Sequence, residues 1–407
     1  MAFSFLSRPR KAAVYWAMRR GRRLTLLCLG AVTACTPLWQ SGQPWVEPGP
    51  VAVQRLPGWA TERAAGLDQA LQAQCTRRPT LPAPWPGLCA ELRLLNLPAG
   101  AAGDAALRAW IETRFAAWPL VSPLGYAAGK LTGYHEPVIT GSLVREQASQ
   151  TPLYRPPPGL VPNESWLTRA QIEQATPPEL AGRELVWLDS AIDAFFLQVQ
   201  GSGRVRLRDG RHLRVGFAGH NGHPYSAIGA ELIRRGEIAR EAMSADAIKT
   251  WLAGHPDQAS ALMQTNPRYV FFAARPGLRA EQGPLGSLAV PLTPHRSLAT
   301  DPRFVPVGAM LYVQAARPDP AQIADPARAS DPAPPPHALV GLAMNQDTGA
   351  AIVGEVRADL FTGWDDAAAR EASGLNARMR LWVLWPKEQR LPESVPAARR
   401  LAGLYIG

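Results

Sequence analysis

Between Asp193 and Tyr225 hydrophobic and polar positions follow a period of two. Leu197 and Val199 alternate with Gln198 and Gln200, and Gly201-Ser202-Gly203 then permits a bend or bulge. Arg204, Arg206 and Arg208 alternate with Val205 and Leu207; Asp209-Gly210 is a turn pair; Leu213, Val215 and Phe217 resume the alternation. The pattern predicts a β-hairpin from 197 to 217. It ends in a loop, Gly219 to Tyr225, that carries two imidazoles, an amide and a phenol. Donors on a rigid sheet suit a hydroxyl-rich ligand such as a sugar.

Elsewhere the spacing is helical. Ala64, Leu67 and Leu71, and later Leu107, Ile111 and Phe115, recur every three or four residues. The segment 76–88 interrupts them with four prolines. From Gly129 short strands and turns take over. Helices are predicted at Ser226–Arg235, closed by Gly236, and at Ser244–Gly254, with Ser244 as N-cap. Residues 317–337 form a Pro/Ala/Asp-rich stretch that reads as an exposed, disordered loop. With 40 prolines and 35 glycines in 407 residues, the chain is expected to be mainly β with helices.

The first 34 residues contain seven Lys/Arg and no acid, then an apolar run from Leu24 to Val32 and Thr33-Ala34-Cys35. This reads as a lipoprotein signal peptide, 1–34, with Cys35 lipidated; Met18 is an alternative start. Thr36, where an Asp would favour inner-membrane retention, points to the outer membrane. Residues 35–60, rich in Pro and Gly, read as a tether. With the signal set aside, 36 basic residues face 33 acidic ones, a balance that gives no reason to expect nucleic acid. Cys75 and Cys89, in an oxidising compartment, are expected to pair. His220 and His223 lack a third ligand placed by sequence, so no metal is expected.

Several motifs stand in order. They are Lys130-Leu131-Thr132-Gly133-Tyr134-His135-Glu136-Pro137, then Thr151 to Pro156 (TPLYRP), then Pro291-Leu292-Thr293 with Arg296 to Ala299, then Gln346-Asp347-Thr348-Gly349 through Asp359. Together they resemble the membrane-bound lytic murein transglycosylase A family over roughly residues 125–385. The resemblance implies a discontinuous double-psi β-barrel domain, 61–145 plus 286–390, formed by N- and C-terminal segments. A second β-barrel-like domain, 146–285, would be inserted, with a groove between the two. It also implies cleavage of the β-1,4 bond between N-acetylmuramic acid and N-acetylglucosamine with formation of a 1,6-anhydro ring. The partners would be peptidoglycan strands and the proteins of a cell-wall complex, and no cofactor is implied.

A lytic transglycosylase needs one carboxyl that serves as acid and then as base, because the muramic C6 hydroxyl replaces water. The family's acid aligns with Asp359, with Asp347 as a neighbour that tunes or orients it; the opposite assignment stays open. Here Arg357-Ala358 stands where some members have His-Phe. Ala350 to Val353, between the two aspartates, would lie inside the barrel. Asp365 and Asp366 read as helix-capping acids. Tyr134 and Glu136 are groove-lining candidates. Gln198, Gln200, Ser202, Asn221 and Tyr225 are candidates for contacts with hydroxyl or acetamido groups, and Arg204, Arg206 and Arg208 for murein carboxylates. A murein-binding lipoprotein without catalysis and a two-carboxylate hydrolase are the rival readings.

Overall fold

The computed structural model describes residues 48–397 except 77–80, 96, 99, 163 and 317–337. The signal, Cys35 and the 317–337 loop lie outside the described residues. Two sheets account for most of the rest. One contains β1 (Val51–Ala52), β2 (Phe115–Pro119), β3 (Gly129–Tyr134), β10 (Ser297–Thr300), β11 (Met310–Ala316), β12 (Ala338–Asp347), β13 (Arg357–Phe361) and β14 (Asn376–Pro386). The other contains β4 (Val138–Ser142), β5 (Thr151–Tyr154), β6 (Glu184–Leu188), β7 (Ser202–Arg206), β8 (His212–His220) and β9 (Val270–Ala274).

Six strands of the first sheet close on themselves in the order β14-β11-β12-β10-β13-β3, because β3 pairs with both β13 and β14. The β10–β12 and β13–β3 pairings are parallel. Period-two alternation explains the two cores on either side of the barrel wall. Leu131, Leu298, Leu311, Val313, Ala358, Leu360, Leu381 and Val383 fill the inside. Met310, Tyr312, Leu342, Met344, Trp382 and Leu384 point outward, under helices α1 (Leu67–Cys75), α2 (Trp85–Leu94) and α3 (Ala101–Arg114). A disulfide between Cys75 and Cys89 ties α1 to α2. Among the described residues no helix is long and apolar enough to cross a membrane.

The second sheet lies wholly between β3 and β10 in the chain. Its core joins Ile139, Leu153, Val186, Leu188, Val205, Val215 and Phe272 to Leu197 of helix α5 (Ala191–Gln200). Helices α4 (Arg169–Ala175), α6 (Ile228–Arg235), α7 (Ala245–Gly254) and α8 (Pro256–Gln264) complete this half. Ser244 caps α7 by accepting from Ala247 N, and left-handed Gly236 ends α6. Helix α9 (Asp366–Gly374) packs on β3 where a Cβ on Gly133 would meet Ala372 Cα at 2.8 Å.

Four expectations are corrected. Residues 197–200 are the end of a helix, not a strand; Ser190 accepts from Asp193 N at one end and left-handed Gly201 stops the other. The hairpin is β7–β8 alone. The tether stops short of residue 60, because Val51, Val53, Leu56 and Trp59 are buried against the helices. Strand β4 belongs to the second sheet, so a boundary at 145/146 falls too late. Finally, Ala350, Ala351 and Val353 are exposed in the β12–β13 loop rather than inside the barrel; of that run only Ile352 is buried.

Candidate active site

Register brings the two aspartates together. Ala299 of β10 stands opposite Asp347 on one side and opposite Asp359 on the other, and Asp359 in turn faces Thr132. Neighbouring strands are ~4.8 Å apart, so the two aspartate Cα atoms lie about 10 Å apart across Ala299. Leu131, Leu298 and Leu360, the alternate positions, point into the barrel, so this row points out of it. A bulge helps: between Leu298 and Ala299 the partner strand advances from Asn345 to Asp347. Gln346 and Asp347 can then both leave the barrel interior. The Gln346 amide donates to Ala70 O of α1 (2.8 Å) and its carbonyl accepts from Ser297 Oγ (2.7 Å).

The row lies where the chain passes between the sheets. Tyr134, the last residue of β3, donates its hydroxyl to Asp347 Oδ2 (2.9 Å), and Ser287 N, on the returning segment, donates to Asp347 Oδ1 (2.9 Å). Both oxygens of Asp347 are therefore occupied. Asp359 differs. Its Oδ1 accepts from Thr132 Oγ1, which itself accepts from Arg357 Nη2 (2.7 Å), while Oδ2 has no hydrogen-bond partner among the described residues. Both carboxyls are half-buried. Crowding by protein atoms strips water from Asp347 and pushes its pKa up to about 6, against the pull of Thr348, Tyr134 and Ser287. Loss of solvent also raises Asp359, opposed by Thr132 and by the charges of Arg357 and Lys130. Burial and the neighbouring aspartates raise the Tyr134 phenol well above its ordinary value, so it stays a donor.

The remaining candidates divide. Glu136 does not line a groove: it is 1% exposed and locked between Arg204 (Nε to Oε2, 2.8 Å) and Arg214 (Nε to Oε1, 3.0 Å). Arg204 is correspondingly unavailable to a ligand; its other donors reach Ala280 O and Gln282 O, and its guanidinium lies over Trp364. Arg208 is held by Asp189 and Glu146, while Arg206 is exposed. Gln198 and Asn221 are internal fasteners. The Gln198 carbonyl accepts from Arg169 and Val270 N, and the Asn221 amide bridges Leu167 O, Pro267 O and Tyr269 N. Ser202 is buried, and Gln200 and Tyr225 are half-buried. None of these sits on the aspartate row. His223 Nε2 bonds Trp166 O, and among the described residues no cluster of His, Cys, Asp or Glu could hold a metal. Asp365 caps α9 by accepting from Ala368 N. A separate cavity of about 290 Å³, lined by Ala65, His295, Arg296 and Leu360 among others, includes neither aspartate.

Thr132, Ser287 and Lys130 were not anticipated as site residues. Thr132 and Lys130 lie inside a motif already recognised, and the period of two that puts Tyr134 on one face puts them there too. Ser287 acts through its backbone, which sequence does not reveal.

The chain is thus a closed barrel with an inserted β unit and a carboxylate pair that faces out of the barrel where the chain passes between the two sheets. Residues 130–273 match the MltA specific insert domain and residues 296–385 match the 3D domain. Membrane-bound lytic murein transglycosylase A of Escherichia coli K12 is 32% identical over 273 residues, 66% of this chain and 68% of that protein. Its Vibrio cholerae counterpart is 34% identical, covering 62% and 64%. The chain belongs to the membrane-bound lytic murein transglycosylase A family. Among solved structures, a membrane-bound lytic murein transglycosylase from Agrobacterium tumefaciens superposes with a TM-score of 0.71 at 25% identity, over 84% of this chain and 98% of that one. E. coli MltA with bound chitohexaose gives 0.63 at 26%, over 84% and 92%.

Proposed function

We propose that the protein is a peptidoglycan lytic transglycosylase. It cleaves the β-1,4 bond between N-acetylmuramic acid and N-acetylglucosamine and leaves a 1,6-anhydromuramic end. Asp359 is the proton donor. The observation that carries this assignment is its free Oδ2 beside an Oδ1 fixed by Thr132, whereas Asp347 has both oxygens engaged. A carboxyl with raised pKa and one unoccupied oxygen can hand its proton to the leaving oxygen. The same oxygen can then take a proton from the C6 hydroxyl as that group attacks the anomeric carbon. Because the attack is intramolecular, no second carboxylate is needed to activate water. Asp347, held by Tyr134 and Ser287, is the fixed negative neighbour of the oxocarbenium-like transition state.

The barrel, with its N-terminal helices, and the inserted β unit are the two domains that flank the glycan. The body is carried on a lipid at Cys35, in the outer membrane facing the periplasm, where cell-wall complex proteins are potential partners. The signal sequence and the relatives' membrane-bound character support that placement.

The test is digestion of purified peptidoglycan by the chain from Thr36 onward, with product masses read beside Asp359→Asn. Wild type should release products lighter by one water than hydrolytic ones, and Asp359→Asn should lower kcat by about 10²–10⁴-fold. Reducing-end products would replace this reading with hydrolysis. Binding without any product would replace it with a glycan-binding role.

A further inference from the structure

The outward face of the barrel carries another row of side chains. Lys130 of β3 stands opposite Arg357 of β13 on one side and opposite Arg378 of β14 on the other. Three cations thus lie abreast. The next outward row is Asp359, Thr132 and Asn376, two residues along each strand and about 7 Å away at ~3.4 Å per residue. Lys130 and Arg378 are exposed, and Arg357 is half-buried.

Like charges directly opposite one another oppose strand pairing. Among the described residues none of the three makes an ion pair; the opposing charge that Arg357 and Lys130 feel is that of Asp359, one row away. Arg357 spends its hydrogen bonds on Thr132 Oγ1 and on the carbonyls of Lys130 and Ala358. The exposed heads of Lys130 and Arg378 are thus left facing solvent one row from the reacting carboxyl. The arginines singled out in the second sheet cannot do this work together, because Arg204 and Arg208 are already paired.

We infer that Lys130 and Arg378, backed by Arg357, form an anion subsite that takes a carboxylate of the muramyl unit next to the scissile bond. The inference rests on the proposed function. Two carboxylate sources have this chemistry: the peptide stem, and the lactyl group of a unit that carries no stem, since attachment of a stem turns the lactyl carboxyl into an amide. Occupation would also neutralise charges that draw Asp359 toward ionisation, so the anionic substrate would help keep its own acid protonated.

Binding and cleavage are read separately on the chain from Thr36 onward, comparing wild type with Lys130→Gln/Arg378→Gln. Three probes are used: murein strands with stems, strands stripped of stems by an amidase so that only the lactyl carboxylate remains, and neutral chitohexaose. The double variant should bind intact strands about five- to tenfold more weakly, with a shallower salt dependence. Its affinity for neutral chitohexaose should not change. A loss on intact strands alone assigns the stem carboxylates, a loss on stripped strands alone assigns the lactyl carboxylate that the amidase frees, and an equal loss on both assigns a subsite that accepts either. Unchanged affinity for both murein forms, or equal weakening towards chitohexaose, overturns the subsite. Failure of wild type to form anhydro products overturns the proposed function instead, and leaves the binding comparison readable.

Discussion

Asp347 and Asp359 differ less in burial than in what occupies their oxygens. Thr132 is the lever on Asp359. Its hydroxyl holds the carboxyl's pKa down, so Thr132→Val should let it rise further. An acid that must be protonated loses activity as pH climbs through its pKa, so the alkaline limb of the kcat/KM profile should move to higher pH. A limb that stays put or moves down would separate Asp359 from the rate. Asp347 reports through stability. Its folded pKa of about 6 lies above its ordinary value, so its contribution is full at about pH 4 and is lost as pH rises through 6. Relative to Asp347→Asn, wild type should therefore lose about 1–2 kcal/mol between pH 4 and pH 7, after allowance for solvent screening. Urea unfolding of both proteins at each pH measures this. At this scale the sequence makes both carboxyls visible, since each lies in a recognisable motif. It does not separate their roles, because these turn on a hydroxyl more than two hundred residues away and on the backbone of Ser287.

Elements were legible where local chemistry decides them, as at Ser244 and Gly236. They were misread where a short alternation fits two periods. Four residues, Leu197 to Gln200, satisfy a strand pattern, but Ser190 and Gly201 bracket a helix whose buried face is Ala194, Phe195, Leu197 and Gln198. Glu136 was misread for another reason: its partners come from β7 and β8, and sequence does not say which arginines converge. Together Glu136, Arg204 and Arg214 join the exit of β3 to the second sheet and to the returning carbonyls of 279, 280 and 282. Glu136→Gln leaves two buried guanidinium groups short of their counter-charge and should cost about 3–5 kcal/mol. Denaturant unfolding measures the loss, and a change below about 1 kcal/mol would mean that the junction is held by its apolar contacts instead.

For the whole molecule, mainly-β character was readable from prolines, glycines and short apolar runs, and the motif order implied a discontinuous barrel. Closure itself was not readable, because it depends on β3 pairing with strands that arrive after the entire second sheet has been built. That ordering has a consequence in time. Residues 132 and 359 meet only when a separation of 227 residues is bridged, and such long-range closure is entropically costly and slow. Far-ultraviolet circular dichroism should recover early on refolding, as helices and hairpins form. Cleavage should return only with the slowest phase, since Thr132 and Tyr134, which hold the two aspartates, join the row only when β3 pairs with β13. Activity that returned in step with the early signal would mean that the aspartates work without Thr132 and Tyr134 in place. With activity last, the protein would acquire its ability to cut the wall abruptly, at the final step of maturation, and an unfinished copy would be harmless to the cell that made it.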